Sequence, residues 1–310
     1  MLGIFQWIGE FIRSLPSPVA QGMIWGIMAI GVYITYKVLD LADLTVDGSI
    51  GTGGAVLVVL TTGGMNIYLA LLIATLCGCA AGFVTGILHT KFGIPAILAG
   101  ILTQLSLYSV NLRIMSGKSL TSISATKYDL IVSSRTESLG QTILVVGIFI
   151  IAIIGALYWF FGTEMGHSIR ATGCNQAMAR ANGINTDTRK IIGITISNGI
   201  VALSGGLLAQ FSGNAEVNMG RGAIVIGLAA VIIGEVVFSK IFKNFALRLL
   251  SAVFGGVIYY IVISLVLKIG LNTNDLKLFS AIIVALFLAL PYLNSKISFK
   301  KKSKDKEVKA

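Results

Sequence analysis

The residues of this 310-residue chain that could do chemistry are few, and most of them interrupt long apolar runs. Glu235 is the one acidic residue well inside an apolar run of the second half, where a carboxylate is by default a proton or cation site. It stands close before Lys240, roughly 7 Å along a helix, so snorkelling to a charged boundary is the other reading. Asp40, Asp43 and Asp47 precede a glycine-rich run, Gly48-Ser49-Ile50-Gly51-Thr52-Gly53-Gly54. Such a run either opens backbone groups to a solute path or lets helices approach closely through small residues. If it lines a path, Ser49 and Thr52 are the expected contacts, and the acids lie near the inner surface. Gln104, Asn111 and Asn198 are lone amides in apolar windows, suited to hydrogen bonding with a solute or with a neighbouring helix. Cys77, Cys79 and Cys174 have no metal-ligand or disulfide spacing and read as small buried residues. Ser116-Gly117-Lys118-Ser119 has the tail of a phosphate loop, but Leu112 occupies the first glycine's place and no strand leads into a helix there. No nucleophile–base set or metal cluster emerges. The sequence predicts handling of a solute without catalysis, and no cofactor or metal held by this chain.

The elements that must position these groups follow from composition. The chain is 55% hydrophobic and 12% charged, where a soluble domain carries about 25% charged residues. The natural solvent for such a surplus is a bilayer. The net charge of +11 has no interleaved stacking aromatics, which excludes a nucleic-acid surface. A spanning helix needs about 20 apolar residues. Windows free of charge, or interrupted only by Glu235, fall at Ser14–Tyr36, Gly48–Thr90, Phe92–Leu112, Leu139–Gly162, Ile191–Phe211, Gly222–Ser239, Leu249–Leu267 and Leu278–Asn294. Gly48–Thr90 holds two spans, divided by the turn Thr61-Thr62-Gly63-Gly64-Met65-Asn66. The expected fold is an all-α polytopic bundle of about nine spans.

Residues 1–18 read as an amphipathic segment lying in the interface, with Ile4, Phe5, Ile8, Phe11 and Ile12 on one face. Residues 19–294 form the membrane domain, and 295–310 a basic tail. Placing the C-terminus in the cytoplasm and alternating puts most of the 24 basic residues inside, as the positive-inside rule requires, and the N-terminus outside. This leaves Arg113–Ser138 on the outer face, where its basic residues suit a docking partner or plain solvent. The loop 163–190 falls in the cytoplasm.

That inner loop contains a short helix. Gly173 acts as a helix breaker, Asn175 as N-cap, Gln176–Ala181 as helix formers and Gly183 as the C′ residue. Ala177, Met178 and Ala181 share a small apolar face that fits a groove on a soluble partner, the alternative being an ordinary surface loop.

The same segment resembles the coupling loop of importer permeases in the branched-chain amino-acid and ribose class. Arg170, Ala171, Gly173, Asn175, Ala177, Ala179, Gly183, Ile184 and Asn185 stand at matching places, and Gly205-Gly206-Leu207-Leu208-Ala209 resembles the following helix. Leu39–Ser49 occupies the position of a family segment at the entry to the second span. Gly100–Thr103 and Leu107–Met115 are similar to a subgroup paired with binding proteins for aromatic amino acids, and the likeness runs over about residues 19–294. The resemblance implies a type II ABC-importer-like permease, acting as a homodimer in the cytoplasmic membrane. It implies a separate ABC ATPase, carrying ATP and Mg, that contacts Arg170, Gly173, Asn175, Gln176, Ala177, Met178, Ala179, Arg180, Gly183, Ile184 and Asn185. It further implies an extracytoplasmic binding protein and an amino-acid solute, aromatic by subgroup. A branched-chain amino acid, a sugar or a nucleoside is the alternative. An ion-coupled carrier using Glu235 or Asp47 is a rival; such carriers often show inverted repeats, and none is evident between the halves. An intramembrane enzyme or scaffold is a further rival, without a catalytic cluster to support it.

Overall fold

The computed structural model describes residues 9–11, 13–124, 127–134, 139–239, 241–268, 278–282, 284–287 and 289. The interfacial segment expected over residues 1–18 lies partly outside these, and the basic tail 295–310 wholly so.

The chain forms helices α1 (Pro16–Tyr33), α2 (Thr45–Thr62), α3 (Ile67–Thr90), α4 (Ala96–Ile114), α5 (Leu139–Phe161), α6 (Glu164–Cys174), α7 (Gln176–Ala181), α8 (Thr186–Ser212), α9 (Ala223–Phe238) and α10 (Phe245–Lys268). A π-helical turn, Ile34–Val38, continues α1. A further apolar helix over Leu278–Phe287 passes through undescribed residues. Among the described residues, seven helices are long and apolar enough to cross a membrane, α1 counted with its π-turn. Two of the nine expected spans yield shorter helices, and α9 has a physical reason for its 16 residues. Its N-terminus starts inside the bundle, against α2, so it needs only part of the membrane's depth.

Burial separates the helices into inner and outer sets. α1 with its π-turn and α2 are each 78% buried along their apolar windows and α8 is 67% buried, against 22% for α4 and 17% for α5. The inner helices approach through small residues and through side-chain bonds to backbone. Ser197 Oγ donates to the Gly31 carbonyl at 2.7 Å and Ser204 Oγ to the Ile24 carbonyl at 2.8 Å, which makes α1 and α8 antiparallel. Around this pair the contacts are reciprocal. α8 packs on α2 and α3 as α1 packs on α9 and α10, and α2 lies on α3 as α9 lies on α10. The two three-helix units thus repeat in inverted sense, although no repeat is evident in the sequence. A packing pattern is set by small residues whose order along the chain is free, so it leaves no legible sequence match.

Both α2 and α9 follow non-helical segments that run into the bundle. Asp40, with φ of 54°, turns the chain after the π-turn, and Leu39 and Asp43 on either side of it are 1% and 3% exposed. The expected position of Asp43 at the cytoplasmic surface is therefore corrected: it is buried, accepting from Thr45 N at 2.9 Å and from Asn198 Nδ2 at 2.7 Å. Asp47 accepts from Gly222 N and Ile224 N, both at 2.8 Å, and so caps the first turn of α9 with a carboxylate, where the helix dipole favours negative charge.

A two-stranded antiparallel sheet, β1 (Leu120–Ser122) with β2 (Asn214–Glu216), joins the loop after α4 to the loop after α8. These loops share a face, as alternation of the spans requires. Ser116 and Gly117 are turn residues leading from α4 into β1, so the Ser116–Ser119 run has helix-to-strand order, opposite to a phosphate loop.

Candidate functional site

At the opposite face from the β1–β2 sheet, α6 and α7 project between α5 and α8. The Asn175 side chain accepts from Met178 N at 3.0 Å and caps α7, as its residue type predicts. The helix ends where Gly183 takes φ of 77°, a conformation glycine adopts without steric cost, and Gly183 N and Ile184 N return to the carbonyls of Arg180 and Ala179. Asn185 then caps α8, accepting from Thr188 N at 3.2 Å. Arg180 ties the two helices together, with Nε donating to Thr186 Oγ1 at 2.8 Å and Nη2 lying 3.3 Å from Asp187 Oδ1. Gln176, Ala177, Met178 and Ala181 are exposed, Met178 to 51%, while Ala179 is fully buried. The presented face is therefore Ala177–Met178–Ala181, held on a short, doubly capped helix.

Two residues of the expected coupling set act differently. Gly173 does not break a helix: it lies in the last turn of α6, and a Cβ there would collide with the Val38 carbonyl. It is needed for close approach to the π-turn. Arg170 faces inward over the Phe245 ring at 4.1 Å and the Phe161 ring at 5.5 Å. Burial pulls its guanidinium below its ordinary value, with Tyr33 and Tyr158 acting the other way, but an arginine keeps its charge. Arg170 fastens α6 to α5 and α10 through these two rings.

The structure divides the five expected path residues. Ser49, Thr52 and Asn198 are all 3% exposed or less. Ser49 Oγ donates to Asn198 Oδ1 at 2.6 Å, and Thr52 Oγ1 donates back to the Gly48 carbonyl at 3.0 Å. Ser49 and Asn198 belong to a sealed network that also includes Asp43 and the chain Thr45–Thr85–Thr103, joining α2, α3 and α4 at 2.8 and 2.9 Å. Gln104 and Asn111 instead line a cleft of about 270 Å³ between α4 and the segment 217–222, together with Asp47, Tyr108 and Arg221. Sequence reasoning missed Arg221. Its signal was available, as the one basic residue, beside the acidic Glu216, between the windows that became α8 and α9.

On the α7 side, Glu235 is bonded to Lys37 at 2.7 Å. The pair lines a cavity of about 660 Å³ with Arg248 and aromatic residues of α9 and its C-terminal turn. Of the two carboxylates considered as ion sites, Glu235 has a lysine partner and Asp47 has the backbone of α9. Among the described residues no cluster of histidine, cysteine and acids could hold a metal ion.

Residues 17–291 match the family described as branched-chain amino acid transport system / permease component. The chain is 42% identical to the tyrosine transport system permease protein of Clostridioides difficile (strain R20291), over 94% of its length and 95% of the relative's. It is 25% identical to the ribose import permease protein of Haemophilus influenzae, over 63% of this chain and 60% of that one. In fold it is similar to a chain of the solved PsaBC assembly from Streptococcus pneumoniae in complex with Fab, with a TM-score of 0.53 at 15% identity over 90% of this chain and 95% of that chain. Apolar helices, a capped helix projecting from them and the family match over most of the length agree, and this chain belongs to the branched-chain amino acid transport permease family as the membrane-embedded permease component of an ABC importer.

Proposed function

We propose that the chain is one half of a homodimeric permease that imports an aromatic amino acid across the cytoplasmic membrane. A separate ATPase, which binds ATP and Mg, docks on α7, and an extracytoplasmic binding protein delivers the solute to the β1–β2 face. In this arrangement the C-terminus is cytoplasmic and the N-terminus outside, as the distribution of basic residues favours. The single observation that carries the coupling role is the exposed Ala177–Met178–Ala181 face on a helix fixed at both ends. Small side chains around one methionine let such a helix sit in a groove, and Arg170 and Gly173 fasten its base to the spans. The aromatic solute is supported by the relative named for tyrosine transport. The relative named for ribose import makes a sugar the nearest competing solute.

The coupling role is tested by single cysteines at positions 176–181, in a chain whose exposed Cys174 and half-buried Cys77 and Cys79 have been replaced. Cross-linking to the co-expressed ATPase is expected at 177, 178 and 181 and not at the buried 179. Absence of adducts at every position would reject it. Met178→Glu is expected to abolish ATP-driven uptake while the permease stays folded. Uptake that persists in vesicles without ATP would favour an ion-coupled carrier, whose two candidate carboxylates are both already engaged.

A further inference from the structure

The cleft between α4 and the segment 217–222 holds groups that the sealed network and the coupling helix do not use. The geometry points to a recognition site there for a free α-amino acid with an aromatic side chain. Its carboxylate lies on Arg221, its ammonium on the Asn111 amide oxygen, and its ring along Leu105 and Tyr108. This assignment rests on the import reading above and deepens it by naming the atoms that meet the solute.

Three observations carry it. First, Arg221 is exposed in the cleft and makes no ion pair among the described residues. The carboxylate beside it, Asp47, is occupied by two backbone N–H groups of α9, so the guanidinium is left as an anion receptor with the fork geometry that suits a carboxylate. Second, Asn111 is 1% exposed and its Oδ1 has no donor, although it lines the cleft. A buried acceptor without a donor is unfavourable, and an ammonium group supplies one. Gly51 leaves room for that amide, because a Cβ there would lie 3.1 Å from Asn111 Nδ2. Third, Leu105 and Tyr108 are 63% and 46% exposed on the same wall, and an aromatic ring laid on Tyr108 gains both apolar contact and stacking.

Size and charge select among solutes. A volume of about 270 Å³ lies just below the usual range for small-molecule sites, roughly 300–1,000 Å³, and suits one amino acid. A neutral sugar would leave Arg221 without a counter-charge.

The test uses the complete importer, permease with its ATPase and binding protein, in proteoliposomes supplied with ATP, reading uptake of labelled tyrosine and leucine. Because the binding protein is unchanged, differences between variants arise in the permease. Arg221→Gln is expected to lower uptake of both solutes about tenfold, and Arg221→Lys to restore most of it. Tyr108→Ala is expected to lower tyrosine uptake relative to leucine about threefold, the loss of an aromatic pair. Asn111→Leu is expected to lower uptake while thermal stability is kept or raised, since it removes the orphaned acceptor. Assembly of the permease with its ATPase should be unchanged in all four. Unaltered uptake in Arg221→Gln and Asn111→Leu, or an unaltered tyrosine-to-leucine ratio in Tyr108→Ala, would overturn the cleft assignment alone. Wild-type importer that takes up no amino acid would overturn the import reading and the cleft with it.

Discussion

The glycines of α2 and Gly183, at the end of α7, illustrate two different uses of a missing side chain. In α2, Gly53 has ordinary helical backbone but no room: a Cβ would collide with the Ala202 carbonyl of α8. In return, Gly205 of α8 faces the Ile50 carbonyl of α2 in the same way. At the end of α7, Gly183 is the reverse case, with open space around it and φ of 77°. The first use lets two spans touch at backbone distance, where Asp43, Ser49 and Asn198 bond directly to one another. The second stops a helix at a set length and aims it at a partner. The membrane interior is thus fixed by contact and the projecting helix by chain geometry, so the interior should be far the less tolerant of change.

That contrast can be broken at three places. Gly53→Val should be the most damaging, because backbone on both sides cannot yield; overpacking costs about 1–3 kcal/mol where side chains can adjust, and this site exceeds that range. The expected result is loss of monodisperse permease after detergent extraction; normal yield and melting temperature would refute close contact between α2 and α8. Asn198→Leu should rank next, at about 1–3 kcal/mol, since it strands Asp43 Oδ2 and Ser49 Oγ while Asp43 Oδ1 keeps only Thr45 N. Thermal unfolding in detergent measures it, and a stability equal to wild type would show that the network admits water. Gly183→Ala should have the smallest effect on the fold, roughly 1 kcal/mol, confined to the end of α7. Faster hydrogen exchange over residues 176–184 with an unchanged melting temperature is the expected signature, and a global loss of stability would erase the distinction between the two regions.

Several features were legible in the chain itself. The spans follow from charge-free windows, because bilayer thickness imposes a length and forbids charge over it. The turn after α2, the cap at Asn175 and the stop at Gly183 are local, determined by residues within a few positions of one another. What escaped was non-local. The cytoplasmic placement of Asp43 assumed that acids seek water, whereas Asn198, 155 residues away, supplies its bond inside the bundle. Gly173 reads as a breaker because its partner, the Val38 carbonyl, belongs to another element. Asn198 is a lone amide in an apolar window just as Gln104 and Asn111 are, and nothing in their own sequence tells a sealed amide from one lining a cleft.

The sequence by itself determined that this chain lives in a bilayer, which of its apolar windows become helices, and that the short capped helix α7 stands outside the spans. Hydrophobic length, charge and turn chemistry are properties of contiguous residues, and they need no partner to act. Only the tertiary structure decided which polar residues are sealed and which face the cleft, and that α9 begins on the carboxylate of Asp47. It also decided that two three-helix units repeat in inverted sense. Each of these depends on which backbone lies beside which side chain across the bundle, and residues more than a hundred positions apart meet there only once the chain has folded.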